Sequence, residues 1–133
     1  MMTNEEAVKF AINSYVNAFQ AGNEHLIDHY FSADLEFRNH SVAKNFSLQQ
    51  IKLSVLEVHK KYQHLKSAVK DVIVEGNRIA FRAEQHAFFV PDNDYVNMNV
   101  MNLYTLADGK VKTWQLWFNQ HAYSAKPLGA VPD

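Results

Sequence analysis

The feature that most constrains the fold of this 133-residue chain is a change of hydrophobic period near Lys66. From there onward apolar and polar side chains alternate, which predicts β-strands with one buried face. Three turn signals divide this region into four strands, namely Glu75-Gly76-Asn77, Pro91-Asp92-Asn93-Asp94 and Asp108-Gly109. Asp-Gly between alternating runs is a strong hairpin signal. We therefore predict long strands at about 78–90, 95–107 and 110–123, joined as an antiparallel meander.

The first half of the chain carries helical patterns with recognisable ends. Thr3 and Glu6 form a capping box for a first helix that stops at Gly22, and its predicted buried stripe is Val8, Ile12, Tyr15 and Phe19. Asn23 caps a shorter second helix whose predicted buried side is Leu26, Ile27, Tyr30 and Phe31. Ser47 and Gln50 form the capping box of a third helix, with the stripe Ile51, Val55, Val58 and Tyr62.

Helices followed by a long antiparallel sheet predict an α+β fold in which the sheet curls around the helices. Because only three helices cover so long a sheet face, we expect a cone-shaped curved antiparallel sheet with a cavity at its mouth. We expect a single domain over residues 1–125, followed by an irregular tail over residues 126–133.

Composition excludes several classes of function. The formal charge is −1 and both signs are interspersed, so the sequence shows no basic patch of the kind that binds nucleic acid or an anionic membrane. No segment approaches membrane-spanning length and no secretion signal is visible, so we expect a cytoplasmic protein. Cysteine is absent, no nucleotide-binding loop occurs, and the helical pair His25 and His29 has no third ligand. We therefore expect neither a metal nor an organic cofactor.

Strand alternation also predicts which side chains face the interior of the cone. Amides and phenols among aromatic side chains are typical of a small-molecule pocket, whereas a packed core would bond each amide to the backbone. The residues that we expect to contact a ligand are Phe19, Phe37, Val55, Phe81, Gln85, Val100, Tyr104, Trp114, Leu116 and Phe118.

The segment LEFRNHS, residues 35–41, contains an amide where its pattern calls for a third apolar side chain. Leu35 and Phe37 alternate with Glu36 and Arg38, so Asn39 falls on the buried side of a strand. Burying an unpaired amide costs roughly 2–7 kcal/mol on the harsher transfer scales. We therefore expect Asn39 to line a pocket.

Together these elements resemble the nuclear transport factor 2-like superfamily, in particular its ketosteroid isomerase-like and SnoaL-like polyketide cyclase branches. SYVNAFQAGN is similar to the first-helix signature of the isomerases, YFSADLEFRNHS to the segment before the first strand, and NLYTLADGKVKTWQLWF to the last hairpin. The resemblance implies a cone-shaped fold and aligns Tyr15 with the catalytic tyrosine. It aligns Asn39 with the aspartate that moves the proton, and Asn102 with the second, hydrogen-bonding aspartate.

Both departures from the family pattern replace an acid by an amide. In ketosteroid isomerase one aspartate is the base, while a tyrosine and a protonated aspartic acid donate hydrogen bonds to the oxyanion. Asn102 keeps a donor, but Asn39 cannot accept a proton at neutral pH, and loss of a general base lowers a rate about 10²–10⁴-fold. His40 and His59 are the remaining candidate proton carriers, although their positions also fit an exposed turn and the edge of the third helix.

Three functional hypotheses follow. The first is a binding site for a largely apolar carbonyl compound, with isomerase- or cyclase-like catalysis if a histidine reaches Tyr15. The second is a non-catalytic ligand-binding or interaction module, which the loss of both acids favours. The third is a dehydratase or hydrolase that uses Tyr104 and a histidine. We also expect a homodimer through the outer sheet face, where Phe88, Leu103 and Trp117 are apolar.

Overall fold

The computed structural model describes residues 2–119. Helix α1 (Asn4–Ala11) continues into a π-helical segment (Ile12–Gln20) and is followed by helices α2 (Glu24–Tyr30) and α3 (Leu48–Lys61). The strands are β1 (Phe31–Asn39), β2 (Lys44–Phe46), β3 (Tyr62–Glu75), β4 (Arg78–Phe89), β5 (Asp94–Ala107) and β6 (Lys110–Phe118). A short 3-10 helix (Val90–Asp92) connects β4 to β5. Residues 120–123 of the last predicted strand, the domain end at 125 and the tail 126–133 lie outside the described residues.

The helix starts follow the capping patterns of the sequence. The Thr3 and Ser47 hydroxyls accept hydrogen bonds from the backbone N–H groups of Glu6 and Gln50. The side chains of Glu6 and Gln50 accept hydrogen bonds from the backbone N–H groups of Thr3 and Ser47, so both capping boxes are confirmed. Asn23 Oδ1 accepts a bond from the backbone N–H of Leu26, as expected for a helix cap. No helix within residues 2–119 is long and apolar enough to cross a membrane.

The buried face of the first helix differs from the predicted stripe by about one residue. Ala7, Ala11, Tyr15 and Ala18 are buried, whereas Ile12 is 38% exposed. Alanine side chains are small enough to let a helix lie close to a sheet, and a stripe chosen from the larger apolar residues misses such a face. The prediction for Ile12 was therefore wrong, whereas the prediction that Tyr15 is buried is confirmed.

The strands form one unclosed sheet in the order β2-β1-β6-β5-β4-β3. Strands β3 to β6 form the predicted antiparallel meander. Strand β1 pairs with β6 in parallel, so the expectation of a wholly antiparallel sheet was wrong. The hydrophobic pattern of a strand does not record the direction of its partner, which explains this error. The short strand β2, which we did not predict, pairs with β1. The predicted α+β class and the curved sheet around the helices are confirmed.

Side-chain alternation in the long strands follows the prediction. The odd-numbered residues from Ile79 to Ala87 in β4 and the even-numbered residues from Val96 to Tyr104 in β5 are buried. In β6 Trp114 and Leu116 are buried, whereas Trp117 is 38% exposed on the outer face. The concave face of the sheet therefore consists of the side chains that the period of two assigned to it.

Aromatic rings fill the narrow end of the cone. The ring centroid of Trp114 lies 5.3 Å from that of Phe31 and 5.8 Å from that of Tyr104. The Tyr104 hydroxyl is hydrogen-bonded to Ser14 Oγ at 3.0 Å, and both residues are fully buried. Burial raises the pKa of the Tyr104 hydroxyl far above its usual range, so this group stays protonated. The narrow end is a packed core whose polar atoms are bonded to each other.

Gly22 lets helix α3 approach the end of the π-helical segment. Its φ of 68° lies in the left-handed region, which a residue with a Cβ adopts only at a cost. A Cβ on Gly22 would lie 3.2 Å from Val55 Cγ1 and 3.3 Å from His59 Cε1. Glycine at this position therefore satisfies both the backbone conformation and the close contact with α3.

We predict that Gly22→Ala lowers the free energy of unfolding by more than the roughly 1–2 kcal/mol that a left-handed alanine costs. Gly76→Ala is the matched control, because Gly76 has a φ of 59° and nothing within 4 Å of the added methyl group. Urea denaturation of both variants measures the difference. Equal losses in the two variants would show that α3 does not constrain position 22.

Candidate functional site

A cavity of about 220 Å³ lies at the open end of the cone, above the packed aromatic rings. The π-helical segment and helix α3 form one side, and the concave face of the sheet forms the other. Tyr15 and Asn39 line the cavity, together with the predicted ligand contacts Phe19, Phe37, Val55, Gln85, Val100, Leu116 and Phe118. The structure thus brings together residues from the first helix, α3, β1, β4, β5 and β6.

Three predicted ligand contacts, Phe81, Tyr104 and Trp114, do not line this cavity. They belong to the narrow end, where the ring centroid of Phe81 lies 5.1 Å from that of Tyr104. Alternation identifies the face of the sheet on which a side chain lies, but not its depth along the cone. These three side chains therefore support the cavity from below.

Tyr15 meets the cavity next to a buried amide. The Gln85 side chain donates from Nε2 to the Tyr15 hydroxyl oxygen at 2.9 Å. Tyr15 is 1% exposed and Gln85 is 7% exposed. Edge-to-face contacts of Tyr15 with Phe81 and Trp114, at 5.6 and 6.1 Å between centroids, hold the phenol ring in place. The hydroxyl and the amide thus form one fixed polar group in the cavity wall.

Asn39 ends strand β1 and is oriented by the turn that follows. Its Oδ1 accepts a bond from the backbone N–H of Ser41 at 3.1 Å. Ser41 is held in turn by Phe118, whose carbonyl accepts from Ser41 Oγ at 3.0 Å and whose N–H donates to it at 2.8 Å. The amide of Asn39 therefore has a defined orientation at the half-buried edge of the cavity.

Asn102 does not line the cavity, although it was expected to share a site with Tyr15 and Asn39. Its Oδ1 accepts a bond from Trp114 Nε1 at 2.9 Å, and its Nδ2 lies 3.4 Å from the carbonyl oxygen of Val100. The side chain is 2% exposed. Its geometry indicates a cross-strand bond in the core and does not support the expected contact with a ligand.

Neither of the two candidate proton carriers lines the cavity. His40 lies outside the cone, where its Nε2 is 2.9 Å from Gln115 Oε1 and its ring stacks on Trp117. The His59 ring donates from Nε2 to the carbonyl oxygen of Gln20 at 2.6 Å. Strand alternation explains the outward direction of His40, because it follows Asn39 directly. These placements do not support a catalytic role for either histidine in the cavity.

Sequence reasoning missed several residues of the lining, namely Gln20, Phe46, Ser54, Leu65 and Met98. Met98 had been assigned to the inner face of β5 but not to the site. Phe46 belongs to the unpredicted strand β2, and Leu65 lies in β3 at a position before the predicted change of period. The apolar stripe of α3, which continues to Tyr62, was the available signal for that wall.

The cavity has no strong acid or base. Its lining contains no aspartate, glutamate, histidine, lysine or arginine among residues 2–119. No cluster of three or more histidine, aspartate or glutamate side chains in this part of the chain could hold a metal ion. The arrangement can therefore surround an apolar compound and bond its polar groups, but it offers no carboxylate or imidazole for proton transfer.

A profile of the SnoaL-like domain family matches residues 12–114. No curated protein sequence matches the chain. The matched segment begins at the π-helical segment, ends within β6 and contains every residue of the cavity lining except Leu116 and Phe118.

Solved structures show the same fold at low sequence identity. IdmH from Streptomyces antibioticus, a candidate polyketide cyclase, is 12% identical with a TM-score of 0.77 over 88% of this chain and 94% of that chain. A candidate SnoaL-like polyketide cyclase from Jannaschia sp. CCS1 is 19% identical with a TM-score of 0.75 over 93% and 95%. An LEH-like epoxide hydrolase from M. tuberculosis is 15% identical with a TM-score of 0.68 over 90% and 86%. At these identities the likeness extends to the fold alone.

We predict that Asn102→Leu lowers the free energy of unfolding by about 1–3 kcal/mol, because it leaves the buried indole N–H of Trp114 without an acceptor. The matched measurement repeats the substitution in a Trp114→Phe background, where no indole N–H remains to be satisfied. Urea denaturation of the four proteins provides the double-mutant cycle. An equal loss in both backgrounds would contradict the structural role of this bond.

Proposed function

The chain belongs to the SnoaL-like domain family, and we propose that it binds a small, uncharged and largely apolar carbonyl compound without turning it over. The observation that carries this proposal is the lining of the cavity, which combines aromatic and aliphatic side chains with amides and hydroxyls but, within residues 2–119, no charged group. Such a surface favours neutral ligands, because an ion would lose its hydration without gaining a counter-charge.

The size of the cavity supports a ligand of one or two rings. A dry cavity of about 150 Å³ lined by apolar side chains holds benzene. Pockets for drug-sized ligands are larger, at roughly 300–1,000 Å³. The volume of about 220 Å³ lies between these values, so a monocyclic or small bicyclic compound fits better than a steroid.

The proposal that the ligand is not turned over is supported by the chemistry of the amides. Asn39 stands where the resembling isomerases carry their base, and an amide does not accept a proton at neutral pH. Neither His40 nor His59 lines the cavity, and their ring nitrogens are bonded to the Gln115 side chain and to the backbone carbonyl of Gln20. A dehydratase or hydrolase that uses Tyr104 would need that hydroxyl in the cavity, whereas it is bonded to Ser14 in the core.

We predict that cyclohexanone, acetophenone and 1-tetralone raise the Tm of the protein, whereas progesterone and benzoate do not. Progesterone is larger than the cavity. Benzoate is close to acetophenone in size and shape but carries a negative charge, which the cavity does not compensate. At about 100 times Kd, a ligand that binds only the folded state stabilises a domain of this size by about 2.7 kcal/mol, which is on the order of 10 °C. Thermal-shift titration measures the effect.

Two neighbouring residues of β5 provide the matched variants for this experiment. Val100→Phe fills the cavity from its floor and should abolish the shift, while Met101→Phe points to the outer face and should preserve it. A shift with progesterone or benzoate but with none of the small ketones would refute the proposed ligand class. No shift with any compound would refute the proposed function.

We also propose that the protein forms a homodimer through the outer face of the sheet. Met101 is 46% exposed and Trp117 is 38% exposed, and the two are direct cross-strand neighbours in β5 and β6. Leu103 extends this apolar area as a half-buried residue of β5, whereas Phe88 in β4 pairs with Tyr95 and is separated from Met101 by Arg82, Glu84 and His86. Contiguous apolar area on an outer face is typical of an interaction surface.

For the homodimer we predict that light scattering at micromolar concentration gives twice the chain mass of 15.3 kDa. Met101→Glu should shift the mass to that of one chain, because it places a charge in the proposed interface. Leu53→Glu is the control, since Leu53 is 57% exposed on helix α3, away from the sheet. A monomeric wild-type protein would contradict the proposal.

A further inference from the structure

The sheet places amide side chains on two separate walls of the cavity, and a third amide, Gln20, whose Oε1 accepts a hydrogen bond from Ser67 Oγ, lines it from the π-helical segment. Asn39 lies at the end of β1 and Gln85 lies in β4, with β6 and β5 between them in the sheet. Strands β1 and β4 are three strand spacings apart, about 14 Å across the sheet, and Gln85 lies four residues along β4 from Phe81, the residue level with Asn39. Both side chains line the same cavity. Leu116 in β6 and Val100 in β5 form the apolar floor between them.

At the β1 wall the amide presents its NH₂ group. The backbone N–H of Ser41 donates to Asn39 Oδ1, which fixes the amide oxygen on the side of the turn. Because Ser41 is itself bonded to Phe118 through its hydroxyl, this orientation does not depend on a single contact. Within residues 2–119 no protein acceptor is bonded to Asn39 Nδ2. This wall therefore offers a hydrogen-bond donor.

At the β4 wall the amide presents its carbonyl oxygen. Gln85 Nε2 donates to the Tyr15 hydroxyl at 2.9 Å, and no protein donor within residues 2–119 is bonded to Gln85 Oε1. Every fully buried side-chain polar atom in this part of the chain has a partner, so Oε1 must border open space, although Gln85 is only 7% exposed. A buried acceptor without a protein partner is costly unless a ligand or water bonds it.

We infer that the ligand is an uncharged compound with two polar ends, an acceptor such as a carbonyl oxygen at Asn39 Nδ2 and a donor such as a hydroxyl at Gln85 Oε1. An aromatic or alicyclic ring occupies the apolar space between them. This inference rests on the proposed function and assigns Asn39 and Gln85 as the residues that determine specificity. Tyr15 acts on the ligand through Gln85, whose amide it orients.

The test begins with wild-type protein and four probes of similar size. Acetophenone has only the carbonyl, 4-ethylphenol has only the hydroxyl, and 3′- and 4′-hydroxyacetophenone have both. A neutral hydrogen bond contributes about 0.5–1.5 kcal/mol, so the better hydroxyacetophenone should bind about two- to tenfold more tightly than either single-ended probe. Isothermal titration calorimetry measures the four Kd values.

Two near-isosteric variants assign each polar end to its wall. Gln85→Met should weaken the hydroxyacetophenone and 4-ethylphenol about two- to tenfold and leave acetophenone unchanged. Asn39→Leu should weaken the hydroxyacetophenone and acetophenone by the same factor and leave 4-ethylphenol unchanged. Gln49→Met, an exposed substitution on helix α3, should leave all four Kd values unchanged. Urea denaturation of each variant reports whether it is folded.

The outcomes separate this inference from the proposed function. If acetophenone binds and neither hydroxyacetophenone binds more tightly, the cavity is a small-ketone site and the inference fails. Uniform weakening of all probes by both variants would show a merely structural role for the amides and would also overturn it. If no probe binds the wild-type protein, both the inference and the proposed function fail.

Discussion

The side chain of Trp114 divides the cone into a packed end and an open end. On one side its ring centroid lies 5.3 Å from that of Phe31 and 5.8 Å from that of Tyr104, within the core. On the other side it lies 4.4 Å from Phe37 and 4.9 Å from Phe19, which both line the cavity. Its indole N–H is satisfied by Asn102, so this large ring can be fully buried without an unpaired donor. The cavity exists because the ring fills the narrow end and the three helices leave the other end open.

The positions of the amides support the proposal that the cavity binds a ligand without catalysing proton transfer. The sequence resemblance aligned Asn102 with an aspartate of the isomerases, whereas in the structure its Oδ1 accepts a hydrogen bond from the Trp114 indole beneath the cavity. Asn39, which the sequence resemblance aligned with the proton-moving aspartate, lies at the cavity edge, where the backbone N–H of Ser41 bonds its oxygen and leaves its NH₂ group. Gln85, which the sequence resemblance did not align with any family residue, donates a hydrogen bond to the Tyr15 hydroxyl. Among residues 2–119 the cavity wall thus carries hydrogen-bonding groups and no acid.

Local chemistry could be predicted from the sequence, whereas the depth and partners of side chains could not. The caps at Thr3, Asn23 and Ser47 depend on neighbouring residues only, and all three are confirmed. The period of two identified the inner face of β4 and β5 and predicted that Asn39 and Gln85 face inward, and both line the cavity together with Tyr15 from the helical stripe. The same pattern could not show that Trp114 lies in the packed core whereas Leu116 lines the cavity, because the depth of a side chain in the cone depends on how the sheet curves. The bond between Asn102 and Trp114 and the parallel pairing of β1 with β6 are contacts between distant segments, so no local pattern records them.

The most direct test of binding without turnover uses a ligand that would react if a base were present. Cyclohex-3-enone is a small β,γ-unsaturated ketone, and its conversion to the conjugated cyclohex-2-enone is followed by ultraviolet absorbance. We expect the wild-type protein to bind it in calorimetry and to leave its slow spontaneous conversion unchanged. Asn39→Asp should accelerate conversion, because the mostly apolar cavity raises the pKa of a carboxyl toward neutrality and favours it as a base. Conversion by the wild-type protein at a rate equal to that of Asn39→Asp would contradict the account, because the amide at position 39 would then not separate binding from turnover.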